Sequence, residues 1–336
     1  MTFRTTLIGG LIAAVGLAGS AQADTLTMSH YLPPVLGLHK DFLEPFARQL
    51  EEDSGGEIKV EMQIGGSSLG NITKQWDQAV DGLSDMSFGL HGIPRGRFPC
   101  TQVIELPFLT DSVEEANAIL WGLYPEYLAD EHSAVKVLAL MAHDPGVLAT
   151  RGKKVEKPED LKGLRIRVPS PFIAAMLEDL GAVPVGMPPG QVYENMQTGA
   201  LDGVVLPWAG LSEFRITEVT TNAIEIGAYT TPFYFAMNRD SYDGLSAKGK
   251  AAVDKLSGDA LVAQFPAWWK KWGATGADEI TGNGGEVILN SAELSETWKA
   301  ATAETVTKLE AKLADECEGG VEAIAFARGF AAGMRE

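Results

Sequence analysis

Two arginines on one short segment, Arg165 and Arg167 in Leu164-Arg165-Ile166-Arg167-Val168-Pro169, point most directly at chemistry. In a strand alternate side chains share a face, so both arginines lie on one side and Ile166 on the other. A guanidinium is a planar fork that meets a carboxylate with two parallel charge-assisted hydrogen bonds, where a lysine offers a point charge with less angular control. The segment reads either as an anion grip or as two solvated cations matched by Glu159 and Asp160 just upstream, and the residues alone leave both open. A second pattern, Gly66-Ser67-Ser68-Leu69-Gly70, fits the G-x-S-x-G nucleophile elbow of hydrolases. Such an elbow follows a central buried strand, whereas the residues before this one place Glu57, Lys59, Glu61 and Gln63 at alternate positions, the mark of a half-exposed strand. No histidine follows His143, so a general base of the usual kind is missing from the rest of the chain. His30, His39, His91, His132 and His143 have no H-E-x-x-H or other close ligand spacing, and glycine-rich phosphate fingerprints are absent. Neither a metal nor a cofactor is expected, and the chain does not read as an enzyme.

The elements that must position these residues alternate. A strand at 26–30 precedes a helix from about Leu38 to Glu52 that Gly55-Gly56 stops; then Ile58, Val60, Met62 and Ile64 alternate with polar residues as a strand. A second helix carries Leu69, Ile72, Trp76, Ala79 and Val80 on one side, and strands follow near 86–90 and 135–142. Strands at 164–168, 182–185 and 203–206, with helices at 171–180 and 190–198 between them, form a second unit. This is the pattern of α/β layers. After strands at 223–226 and 233–237 the chain turns mostly helical, with one long segment predicted from Ser246 to about Ala277, a strand at 286–289, and helices at 293–316 and 321–334.

Bulk properties set the compartment and the partners. Residues 1–23 carry one positive charge, Arg4, then a run from Leu7 to Ala18 that is apolar apart from glycines, and end in Ala21-Gln22-Ala23, which reads as a cleavable secretory signal for export to the periplasm. The apolar stretch is short for a span, which wants about 20 apolar residues. Cleavage removes only Arg4 among the charges and shifts the formal net charge from −18 to −19. That acidity argues against nucleic acid and anionic membrane surfaces, and an anionic ligand would need a local cation to hold it. The length suggests two domains. Cys100 and Cys317, in an oxidising compartment, are either one long-range disulfide or two buried thiols.

Longer motifs carry a family likeness. Lys-Pro-Glu-Asp-Leu-Lys-Gly-Leu-Arg-Ile-Arg-Val-Pro-Ser-Pro from Lys157, and Pro-Pro-Gly-Gln-Val-Tyr-Glu-Asn-Met-Gln-Thr-Gly-Ala-Leu-Asp-Gly from Pro188, closely resemble the solute-binding proteins of TRAP (tripartite ATP-independent periplasmic) transporters, the DctP-type family. The likeness extends over essentially the whole mature chain, through Gly-Gly-Glu-Ile-Lys-Val, Gln-Ile-Gly-Gly-Ser-Ser-Leu-Gly, Ile-Glu-Leu-Pro-Phe and Phe-Tyr-Phe-Ala-Met-Asn. It implies an α/β fold of two lobes with a ligand cleft between them and a long helix crossing both. The expected division puts 24–144 and 234–275 in the first lobe, and 145–233 and 276–336 in the second. It also implies a monomer that hands a small organic acid to small and large membrane permease subunits.

The resemblance makes Arg167 the carboxylate-binding position and leaves Arg165 with the solvated reading. Two further polar grips common in such relatives are missing: the stretches where a second arginine and an asparagine are expected read His143-Asp144-Pro145-Gly146-Val147 and Asp202-Gly203-Val204-Val205-Leu206-Pro207-Trp208. Losing two polar grips while gaining Trp208 suggests an aromatic or otherwise apolar monocarboxylate, ahead of a sugar acid or a C4-dicarboxylate. Trp208 sits just past a strand end, where clefts in open α/β sheets lie. Phe233 and Tyr234 fall in the segment expected to cross between lobes and could stack on a ring. Tyr31, Ser67, Ser68 and His91 sit on loop tips after strands and complete the expected contacts.

Overall fold

The computed structural model describes residues 23–94 and 96–336, so the expected leader lies, apart from Ala23, outside the described residues. Four strands open the chain: β1 (Asp24–His30), β2 (Ile58–Gln63), β3 (Met86–Leu90) and β4 (Val135–Ala142). Five follow: β5 (Val147–Thr150), β6 (Arg165–Val168), β7 (Val183–Gly186), β8 (Gly203–Leu206) and β9 (Asn222–Ile224). Last come β10 (Pro232–Asn238) and β11 (Glu286–Ile288). The first sheet has the order β2-β1-β3-β10-β4 and the second β11-β9-β5-β8-β6-β7.

Each sheet holds one strand antiparallel to both its neighbours, β10 between β3 and β4 and β5 between β8 and β9. The chain enters the second sheet through 143–146 and returns through 225–231, so both connections run between the lobes. β5 is not anticipated from sequence: Val147–Thr150 is a four-residue run too short for a periodicity, and only pairing with Val204 and Ala223 through Ala149 makes it a strand. Gly203 is required in β8, where a Cβ would stand 2.6 Å from the Ala149 carbonyl oxygen and 3.0 Å from Ile166 Cδ1.

The region predicted as one long helix from Ser246 to Ala277 is instead four, Ala247–Leu256, Asp259–Val262, Phe265–Gly273 and Gly276–Gly282. Gly258 breaks the first at φ +64°, ψ −139°, a conformation that side chains exclude, and Pro266 begins a new helix where its missing N–H costs nothing. The helix that spans both lobes is Ala292–Glu316. Its Trp298 is buried with Leu148, Ile166, Ile173 and Met176 of the second lobe, while Leu309 and Leu313 pack with Leu120, Leu123 and Ala142 of the first. At 25 residues it reaches about 37 Å, enough to brace both cores.

A disulfide joins Cys317, at the end of that helix, to Cys100 of the first lobe, a separation of 217 residues. The final helix, Gly320–Arg335, packs on Val113–Leu123, and Arg335 donates to Glu115 at 2.7 Å. The whole of 276–336 therefore does not belong to the second lobe as expected: its last third is fastened to the first, because the apolar residues Ala323, Ala327 and Ala331 find their partners there. Among the described residues no helix is long and apolar enough to cross a membrane.

Candidate ligand-binding site

The two arginines of β6 have opposite surroundings. Arg165 has a side chain 44 % exposed and pairs with Asp202, Nε to Oδ2 at 2.9 Å and Nη2 to Oδ1 at 3.1 Å, so its partner is the Asp of the Asp-Gly motif and not Glu159 or Asp160. Arg167 is 1 % exposed. Its Nε donates to the Met187 carbonyl at 2.9 Å and its Nη1 to that of Val205 at 3.4 Å; among the described residues no carboxylate pairs with it. Burial pushes its pKa down to about 10, which leaves it a cation at neutral pH. Buried charges are ordinarily paired, and Arg167, without an anionic partner among the described residues, lines a cavity.

That cavity, of about 50 Å³, lies between the lobes. The first lobe supplies Tyr31, Leu38, Leu90, His143, Phe233 and Trp269, and the second supplies Arg167, Leu206, Gly210, Glu213 and Phe214. The crossing segment before β10 adds Tyr229 and Thr231. Three of the wall's polar atoms are buried without a hydrogen bond among the described residues: Tyr229 Oη, Thr231 Oγ1 and Trp269 Nε1. Together with Arg167 they form a set of donors awaiting an acceptor. The Tyr31 and Tyr229 phenols are held neutral, because burial raises both pKa values despite the nearby Arg167. Gly146 makes room for Tyr229, whose ring would collide with any Cβ there.

His143 occupies the stretch where a second arginine was expected. Burial lowers its pKa to about 4, so it is neutral, and its Nδ1 donates to the Asp144 carbonyl, which leaves Nε2 as an acceptor. The wall thus carries one cation, Arg167, and is otherwise largely aromatic and aliphatic.

Of the residues expected from sequence, the structure brings Arg167, Phe233 and Tyr31 to this cavity. Phe233 stacks on Phe88, 5.7 Å between centroids, and lies 5.6 Å from Trp269. Tyr234 cannot join it, since neighbours on a strand point to opposite faces; it packs under the sheet against Trp76 at 5.1 Å and His91 at 5.2 Å. His91 is buried on that same side, its Nε2 2.8 Å from Nε2 of His132. Ser67 and Ser68 lie on a loop that contributes nothing to the lining, with Ser68 exposed. Trp208 faces a separate groove with Asp144 and Asn290 and donates to Glu225 at 2.9 Å. Trp208 opens the helix Trp208–Glu213, and it is Gly210, Glu213 and Phe214, further along, that line the cavity.

Sequence reasoning missed Tyr229, Thr231, Glu213, Phe214 and Trp269. The only available hint was the Trp268-Trp269-Trp272 cluster, within which packing alone decides which ring reaches the ligand space.

A family model described as bacterial extracellular solute-binding protein, family 7 (DctP), matches residues 28–313. The chain belongs to this family. TRAP solute-binding proteins of known structure share its fold over almost their full length. A TRAP solute-binding protein specific for aromatic acid ligands, from an unidentified marine microbe and in complex with 3-hydroxybenzoate, is 29 % identical, with 94 % of this chain and 99 % of that one covered and a TM-score of 0.87. One from Rhodoferax ferrireducens, with copurified benzoate, is 28 % identical over 93 % and 99 % of the two chains, with a TM-score of 0.87. Among curated relatives, the Comamonas testosteroni protein named outer membrane transporter protein TsaT is 28 % identical over 268 residues, 78 % of this chain and 79 % of its own. This family 7 protein is accordingly a TRAP-type solute-binding protein of two α/β lobes.

Proposed function

We propose that this protein captures an aromatic monocarboxylate between its lobes, with Arg167 as the carboxylate grip, and presents it to the small and large membrane subunits of a TRAP transporter. The observation that carries this reading is the buried, unpaired Arg167 in a wall of Phe233, Trp269, Tyr31, Phe214 and leucines. An arginine withdrawn from water in such a wall gains far more from an incoming carboxylate than one on the surface. The ring of the ligand would lie among the aromatic side chains, and Tyr229 and Thr231 would give their unused hydroxyls to it. The ligands named for the two similar structures, 3-hydroxybenzoate and benzoate, are of this chemical class.

The protein acts as a periplasmic monomer, exported by its leader, and binds without turnover. The serine of the G-x-S-x-G pattern, Ser68, is exposed and follows β2, the edge strand of the first sheet, whereas a nucleophile elbow follows a central buried strand. Closure removes water from the Arg167 pair and creates the form that the permease recognises.

A thermal-shift screen tests the ligand class. An aromatic monocarboxylate at a hundredfold over its Kd should raise Tm by about 5 °C or more. Stabilisation by hexuronates or C4-dicarboxylates, and none by benzoate or its hydroxyl derivatives, would defeat the reading.

A further inference from the structure

The cavity has a second polar pole. Glu213, on the last turn of the helix Trp208–Glu213, lines the same space as Arg167, and no ion pair joins the two. One of its oxygens, Oε1, accepts the backbone N–H of Gly37, which belongs to the other lobe and starts the helical segment Leu38–Leu43. Only glycine fits at position 37, because a Cβ would meet both that carboxyl and the Trp272 indole. The other oxygen, Oε2, has no hydrogen bond among the described residues. Around this pole the lining is apolar, from Leu38, Leu206, Pro207 and Phe214. Burial raises the Glu213 pKa, against the lowering effects of the Gly37 hydrogen bond and of Lys40, with a small further rise from Asp41.

A carboxyl fixed here by a cross-lobe hydrogen bond discriminates between ligands that Arg167 would accept equally. A ligand hydroxyl can donate to Oε2, a bare ring covers that acceptor without pairing it, and a second carboxylate meets the Glu213 carboxyl at close range. His143 Nε2 is another acceptor in the wall, but it sits at the end of the cavity where the Arg167 charge is felt and where, in the proposed reading, the ligand carboxylate goes. We propose that Glu213 is the specificity-determining residue for the end of the ligand away from Arg167, and that it selects aromatic monocarboxylates bearing a ring hydroxyl over unsubstituted ones and over aromatic dicarboxylates.

This inference rests on the carboxylate-binding reading of Arg167, and calorimetry can separate the two. Benzoate, 3-hydroxybenzoate, 4-hydroxybenzoate and isophthalate would be titrated into the wild-type protein and into Glu213→Leu and Glu213→Gln, with folding checked by circular dichroism. In the wild type the preferred hydroxybenzoate should bind at least about tenfold more tightly than benzoate, with isophthalate the weakest. Loss of the Gly37 hydrogen bond weakens all four acids alike, so the ratio isolates the hydroxyl contact. That ratio should collapse to about twofold or less in Glu213→Leu and persist in Glu213→Gln, whose amide oxygen still accepts. An undiminished ratio in Glu213→Leu, or no hydroxyl preference in the wild type, overturns this inference while leaving the Arg167 reading standing. Failure of the wild type to bind any of the four acids overturns both.

Discussion

The two ends of β6 carry the same side chain on the same face and differ in almost everything else. At its first residue Arg165 lies in solvent, holds Asp202 with two hydrogen bonds, and has its pKa raised by that partner. Two residues on, Arg167 is buried between the lobes, donates only to backbone carbonyls among the described residues, and has its pKa lowered to about 10 by burial. Arg165 is satisfied, and joins the Leu-Arg-Ile-Arg motif to the Asp-Gly motif as part of the fold. Arg167 has no anionic partner among the described residues, and in the proposed reading it receives the ligand carboxylate. Residue type and spacing are identical for the two, so the distinction lies in what each lacks: a buried cation without an anion is stable only because the rest of the fold outweighs its cost, and an incoming carboxylate relieves that cost.

The largest expected effect comes from removing each arginine in turn. Arg167→Ala should weaken binding of an aromatic acid by about 2–5 kcal/mol, the usual loss when one partner of a buried charge pair is truncated. Arg165→Ala should leave affinity within about twofold, since an exposed pair with Asp202 has little to give. Calorimetry on both variants checks this. Comparable losses from the two substitutions would erase the contrast and make the strand as a whole, not its buried end, the determinant.

A smaller effect should separate the aromatic residues. Phe233 lines the cavity beside Trp269, whereas Trp208 faces the Asp144 and Glu225 groove. Phe233→Leu keeps the core filled and removes the ring face, so affinity should fall by about 0.5–1.5 kcal/mol. Trp208→Leu should change it by less than the error of the titration. The reverse order would return the ligand's ring to the Trp208 side of the crossing segment.

Much of this architecture is legible in the sequence, and what is not has a definite physical cause. Alternation exposed β2, and the nearly unbroken apolar run from Val137 to Ala142 exposed β4, because burial of one or both sheet faces writes a period of two or an unbroken stretch into the residues. Arg167 was legible through its motif. Phe233 and Tyr234 were both expected at the ligand, although strand geometry permits only one of any adjacent pair; which one depends on where β10 sits between β3 and β4, and no local pattern encodes that register. Glu213, Thr231 and Trp269 are brought together by two lobes closing on one another, a contact between segments far apart in the chain. Their neighbours in sequence look no different from core or surface.

The contrast between satisfied and unsatisfied ionisable groups extends to the acids, and gives the smallest and last effect. Asp202 has its pKa lowered by Arg165. Glu105 sits across the lobe junction with its Oε2 accepting from Ser170 at 2.9 Å, and burial drives its pKa up to about 8. Asp144, in the β4 to β5 crossing, is raised to about 7 by burial with Glu225 nearby, and Glu131 to about 7 by burial against its hydrogen bonds from Thr101 and Cys100. A carboxyl raised in the folded state holds a proton that the unfolded chain has released, so stability falls as pH rises from the unfolded value towards the folded one. The buried histidines act oppositely, His30 near 3 and His132 and His143 near 4, but their contribution is complete once pH exceeds the unfolded value of 6.5. Between about pH 6.5 and 8 the raised carboxyls therefore act alone, and Tm should decline by a few degrees across that window. Glu105→Gln, which keeps the acceptor for Ser170 and cannot ionise, should flatten the decline. A Tm that rises from pH 6.5 to 8, or a slope unchanged in Glu105→Gln, would show that Glu105 is ionised as readily as Asp202 and that its burial between the lobes exacts nothing.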